Sequence, residues 1–149
     1  MGEKIDIKKL RKLKILHLQR IYFKAYILVY YIYKMKKVYH LSQCNTCQRI
    51  LSELDWQDEA QNIREEKITE QQIDQMAALS GSFEALFSRR ALKYKSMNLK
   101  DQALTEADYK RLILEEDTFL KRPVFIVNDS IFVGNSKKTV EELKKKLNE

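Results

Sequence analysis

The sequence predicts an α/β domain: a four-stranded mixed sheet in the order βαβ then ββα, with a helical subdomain inserted between the two halves. Three observations carry this. A short apolar run, Val38-Tyr39-His40-Leu41, leads into Cys44-Asn45-Thr46-Cys47 and then into a helical segment. Near the other end, two period-two runs flank Asn128-Asp129 and precede an amphipathic helix, the pattern of a hairpin with a covering helix. Between them, helix caps and helical spacing occupy about residues 69–117.

Taken in order, residues 38–41 form the first strand, and the cysteine pair opens a helix over residues 48–54. Residues 56–63 form the second strand, polar enough to lie at a sheet edge. Thr69 and Gln72 make a capping box ahead of Ile73, Met76, Ala77 and Leu79, and Ser80-Gly81 ends that helix. Residues 82–97 continue as helix, with Phe83, Leu86, Phe87, Leu92 and Tyr94 as apolar positions and Arg89-Arg90 between them. Thr105 to Asp108 starts a third helical piece over residues 109–116, with Leu112 and Ile113 facing inward. Pro123 opens the third strand, and Asn128-Asp129 makes a two-residue hairpin loop of a kind that tolerates positive φ. Gly134 ends the fourth strand, and Ser136 caps a final helix over residues 139–147 with Val140, Leu143 and Leu147 inward. This is the secondary-structure order of a thioredoxin or glutaredoxin fold with a helical insertion.

The net charge of +7 is not spread over the chain. Residues 1–34 hold nine Lys and Arg against Glu3 and Asp6, so residues 35–149 carry equal numbers of both signs. An electroneutral domain lacks the basic field that holds DNA or RNA, and no direct nucleic-acid partner is expected. Residues 1–34 also hold five of the eight tyrosines, and their charge-free run, residues 25–33, is nine residues long. A spanning helix needs roughly 20. Met35-Lys36-Lys37-Val38 reads as the natural beginning of a cytosolic domain, so residues 1–34 are expected to be an upstream in-frame extension outside the fold, leaving residues 35–149 as the domain. The rival reading is a membrane-surface or anchoring helix, and a membrane partner is expected only if residues 1–34 are expressed.

The two cysteines belong to one motif, which leaves no structural disulfide framework and fits a reducing, cytoplasmic setting. A cysteine at a helix start feels the unpaired N–H groups and the positive end of the helix dipole, which favour its thiolate. A second cysteine three positions on can attack a mixed disulfide formed on the first. The same spacing is half of a zinc site, but zinc needs about four ligands and the chain adds only His17 and His40, so no metal is expected. Two inert buried thiols are the other competing reading.

The stretches Cys44 to Leu54, Phe87-Ser88-Arg89-Arg90 and Phe119-Leu120-Lys121-Arg122-Pro123-Val124-Phe125-Ile126 resemble the ArsC/Spx family, in order and with the right spacing over about residues 36–147. That family comprises glutaredoxin-coupled arsenate reductases and their transcription-regulating relatives. The resemblance implies that Cys44 is the nucleophile that attacks arsenate. It implies that Arg122 and Arg90, with Arg89 as the alternative to Arg90, hold the oxyanion, and that Pro123 is cis beside the cysteine. Planar guanidinium groups suit this role because they bind tetrahedral oxyanions in bidentate fashion. Asn45, Thr46 and Gln48, in the first turn, could donate further hydrogen bonds to a bound anion. Residues 131–134 carry no arginine where better-known arsenate reductases have one, and Cys47 is the arrangement of the regulatory branch.

What the resemblance implies is a cytoplasmic thiol oxidoreductase with no bound cofactor, reducing an oxyanion or a disulfide and drawing electrons from glutathione with glutaredoxin, or from thioredoxin, or resolving its adduct through Cys47. The alternative is a redox-sensing regulator that toggles Cys44 and Cys47 and docks on RNA polymerase by protein contact.

Overall fold

Two central strands, β1 (Lys36–His40) and β3 (Val124–Val127), alternate their side chains between two layers of helix, and this alternation organises the domain. The computed structural model describes residues 18, 20–25, 27 and 35–149, and the chain divides after Lys34 into two units. In the first unit the described residues are helical, with Leu18, Ile21, Tyr22, Phe23 and Ile27 exposed. Among the described residues no helix is long and apolar enough to cross a membrane. The readings of residues 1–34 otherwise fall outside the described residues.

In the second unit, α1 (Asn45–Glu53) follows β1 and leads to β2 (Glu59–Asn62). Then come α2 (Glu70–Ser80), α3 (Phe83–Leu86), α4 (Leu92–Ser96) and α5 (Glu106–Glu115), then β3, β4 (Ser130–Val133) and α6 (Lys137–Leu147). The sheet order is β2-β1-β3-β4, with β1 parallel to β2 and antiparallel to β3. The fold is therefore the expected mixed four-stranded α/β arrangement, and β2 lies at an edge, as its polarity suggests. Val38, Phe125 and Val127 face Ile50 of α1 and Leu143 of α6. Tyr39, Val124 and Ile126 face the helical insertion through Ile73, Met76, Leu86, Phe87, Leu112 and Phe119.

Local signals set most boundaries. Thr69 and Thr105 each cap a helix with a reciprocal capping box, to Gln72 and Asp108. Gly81 ends α2 at φ +92°, a conformation that a side chain disfavours. Asn128 takes φ +58° in the β3–β4 hairpin loop. Ser136 Oγ accepts the Thr139 N–H at the start of α6.

The helices expected over 109–116 and 139–147 start earlier, at Glu106 and Lys137, and four further differences from the sequence expectation have a structural reason. The first strand starts at Lys36 and ends at His40, because Leu41 belongs to the turn that delivers the Cys44 N–H to the Leu41 carbonyl at 3.1 Å. The first helix begins at Asn45, three residues early, since Asn45-Thr46-Cys47 already form its first turn. Trp56 lies outside β2 and packs edge-on against Phe125, with ring centroids 5.0 Å apart.

The fourth is the largest: residues 82–97 are not one helix. Phe87 is extended and bridges Leu120, its ring stacked on Phe119 at 5.0 Å and tilted against Tyr109 at 4.9 Å. The Ser88 N–H donates to the Phe119 carbonyl and the Lys121 N–H to the Leu86 carbonyl at 2.8 Å. These backbone partners replace the helical ones, and the chain opens between α3 and α4. Leu92, one of the apolar positions of the expected helix, is 88% exposed as a result.

Candidate active site

The turn after β1 leaves Cys44 as the N-cap of α1, with extended backbone at φ −95° and ψ 104°. Its carbonyl accepts the first helical N–H, from Gln48, at 3.0 Å. The sulfur faces the open N–H groups of the first turn. Cys44 is half-buried and Cys47 fully buried, and both thiols are free.

Burial pushes the Cys44 thiol up, but the opposing groups prevail. Hydrogen bonds from the Cys47 backbone N–H and thiol and from the Thr46 N–H, together with the Arg122 guanidinium, hold its pKa below the ordinary thiol value. Cys47 goes the other way. Burial, and the hydrogen bond it donates to Cys44, push it up to about 11. The motif is thus an ionisable sulfur at the rim backed by a protonated one inside.

Arg122 and Pro123 enter from the start of β3, joined by a cis peptide bond. The simplest alternative for Arg122 is an ion pair with Asp117 or Glu116. Those carboxylates are already engaged: Asp117 takes Arg64 at 2.9 Å, and Glu116 takes Lys93. Arg122 Nη1 is enclosed and has no hydrogen-bond partner among the described residues. A buried donor without an acceptor costs about 1–3 kcal/mol, more when charged, so this nitrogen is a donor left over once the surrounding acceptors have been taken.

A cleft of about 790 Å³ joins these groups. Cys44, Thr46, Arg89, Arg90 and Arg122 line it, brought together from α1, the break between α3 and α4, and the approach to β3. The two neighbouring arginines of the break differ in state. Arg89 donates to Glu84 at 2.6 Å and to the Tyr109 hydroxyl at 3.0 Å, whereas Arg90 has no ion pair among the described residues. Arg90 faces the cleft, and the Arg122 guanidinium is a cation that lowers the Cys44 thiol.

Besides the buried Cys47, three residues singled out in the sequence lie off the cleft lining. Asn45 is exposed, Pro123 is buried, and Gln48 Nε2 turns to His40 Nδ1 and the Leu41 carbonyl, both at 3.4 Å. Conversely, Ser82, Glu84, Lys121 and the loop Gly134-Asn135-Ser136 line the cleft without having been singled out for it. Gly134 at φ +87° turns the chain over the cleft as β4 ends, and a glycine just after a strand was the available signal. Among the described residues no group of three or more His, Cys, Asp or Glu could hold a metal ion.

The folded unit is similar to solved structures. An arsenate reductase from Vibrio cholerae matches at a TM-score of 0.63 with 19% identity, covering 72% of this chain and 95% of its own. An arsenate reductase-related protein from Brucella melitensis matches at 0.57 with 17% identity, covering 72% and 92%. A Yersinia pestis protein provisionally assigned as an arsenate reductase matches at 0.64 with 17% identity, covering 72% and 99%. At such identities the likeness carries the fold, which is thioredoxin-like. No curated protein sequence matches significantly. The ArsC family model matches residues 39–143, most of the chain, and the chain therefore belongs to the ArsC family, whose members are arsenate-reductase-like redox proteins.

Proposed function

We propose that the chain is a thiol oxidoreductase in which Cys44 attacks a tetrahedral oxyanion of the arsenate class held by Arg122 and Arg90. The observation that carries this reading is the enclosed, unpartnered Nη1 of Arg122 beside a thiol whose ionised form is favoured. The anion accepts from that nitrogen and from the first-turn N–H groups. The Cys44 thiolate then forms a sulfur–arsenic bond, and an oxygen leaves as water after protonation.

A second thiolate attacks the Cys44 sulfur. The sulfur–arsenic electron pair passes to arsenic, which leaves as trivalent arsenite while Cys44 becomes one half of a disulfide. Cys47 is poorly suited to be that thiolate at neutral pH, since burial and its bond to Cys44 keep it protonated. Glutathione supplies the attacking thiolate, and glutaredoxin or thioredoxin returns Cys44 to the thiol; no bound cofactor is required. A cytoplasmic, reducing setting suits this cycle.

The test is arsenate reduction by the full chain with glutathione and glutaredoxin supplied. Cys44→Ser should lose all activity, and Cys47→Ser should keep a substantial part. Equal rates in wild type and Cys44→Ser would remove the reading.

The hairpin favours a second reading, since residues 131–134 carry no arginine to complete a three-armed oxyanion clamp. There the Cys44–Cys47 pair senses redox state and the helical insertion, around exposed Gly81 and Arg90, binds RNA polymerase by protein contact. Polymerase capture that depends on cysteine oxidation, with no arsenate turnover, would select it.

A further inference from the structure

The turn that carries Cys44 and the segment that carries Arg122 come from opposite ends of the domain, and one side chain outside the cleft touches both. Arg64, just after β2, donates through Nε and Nη2 to the two Asp117 carboxylate oxygens at 2.9 and 3.1 Å. Its Nη1 donates to Gln43 Oε1 at 3.2 Å. Gln43 immediately precedes the nucleophile, and Asp117 opens the 3-10 turn (Asp117–Phe119) that runs on to Arg122. Next to it, Asn62 Nδ2 donates to Ser42 Oγ at 2.9 Å, so the end of β2 grips the turn before Cys44 at two consecutive residues. A guanidinium can hold two partners at a fixed spacing because its donors are rigid and coplanar; an ammonium cannot.

We propose that Arg64 is a positioning residue for the thiol and oxyanion site: by bridging Gln43 and Asp117 it sets the separation of Cys44 and Arg122. This rests on the oxyanion reading above for its purpose, yet it is measured separately. Arg64 does not line the cleft, and its contacts are with Gln43 and Asp117. Arg64→Lys, which keeps the charge, separates the effect of geometry from that of charge. The bond to Asp117 is bidentate and the carboxylate side chain is only 18% exposed, unlike the single-contact surface pairs that contribute little.

The experiment measures iodoacetamide alkylation of Cys44 against pH on the full chain, with the label located by mass spectrometry. Wild type, Arg64→Ala, Arg64→Lys and Gln43→Ala are compared, with circular dichroism melts alongside. An opposite charge within about 4–6 Å shifts an acid by roughly 1–3 pH units, and loosening the brace removes part of that. Arg64→Ala should move the midpoint up and slow alkylation at neutral pH by about threefold to tenfold. Arg64→Lys keeps the charge without the fork and should behave like the alanine variant. Gln43→Ala cuts only the arm to the exposed turn, leaves the core intact, and should give a smaller shift in the same direction, so it carries the test if Arg64→Ala melts early. Unchanged midpoints in Arg64→Ala and Gln43→Ala, or full restoration by Arg64→Lys, would overturn the proposal. A separate arm adds arsenate: failure to protect wild-type Cys44, with midpoints that still move, would sink the oxyanion reading and leave the brace standing.

Discussion

Replacing Arg122 by methionine separates what this arginine costs the empty protein from what it contributes to an anion complex. Methionine retains an apolar stem of similar reach and removes the charge. In the free protein Nη1 is enclosed without a partner, and an unsatisfied buried donor costs about 1–3 kcal/mol. Part of that relief is offset by the lost attraction to the Cys44 thiolate. The net expectation is a gain of about 1 kcal/mol in anion-free buffer, seen as a rise in Tm of roughly 3–6 °C for a domain of this size. Binding should move oppositely. Charge-assisted hydrogen bonds contribute about 1.5–3 kcal/mol each, so losing a bidentate pair weakens the oxyanion about a hundredfold or more. The assay is thermal unfolding across an arsenate or sulfate titration. Wild-type Tm should climb with anion as the logarithm of its concentration over Kd, and the methionine variant should stay flat. A variant that is less stable without anion and responds to anion as wild type does would refute the reasoning, because Nη1 would then have an adequate partner already.

Two further outcomes follow from the same geometry. Phe87→Ala empties a site that is 2% exposed and flanked by the Phe119, Tyr109 and Tyr94 rings, so urea unfolding should show a loss of about 3–5 kcal/mol, and a loss below about 1 kcal/mol would mean the rings do not hold the break. Stability should also fall in alkali. Cys47 is pushed up to about 11 and Tyr39 to about 12, each mainly by burial, so between about pH 9 and 12 the unfolded chain sheds protons that the folded chain retains. Urea midpoints should decline over that window, and Cys47→Ser should remove the part between about pH 9 and 11; a flat profile would contradict the burial of these groups.

Much of the fold was legible because its signals are local. The capping boxes at Thr69 and Thr105, the positive-φ hairpin at Asn128 and the period-two strands on either side each depend on residues within a few positions of one another. Cys44 was legible for the same reason, since a strand, a turn and a helix start are contiguous in the chain. The break at Phe87 was not. Its residues satisfy helical spacing, and what overrides it is a bridge to Leu120 and a ring stack with Phe119, more than thirty positions away. The role of Arg64 was equally hidden, because its partners Gln43 and Asp117 lie far from it in sequence and in opposite directions.

The sequence by itself determined the order of the elements and the place of the thiol at a helix start, because periodicity, caps and dipoles act within a turn or two of their source. Only the tertiary structure decided which cations are left unpaired on the cleft beside that thiol. It gave Asp117 to Arg64, Glu116 to Lys93, and Glu84 with the Tyr109 hydroxyl to Arg89, leaving, among the described residues, Arg90 on the cleft without an ion pair and Arg122 with an enclosed nitrogen and no acceptor. Which carboxylate reaches which guanidinium is a matter of distance across the fold, and sequence separation does not encode it.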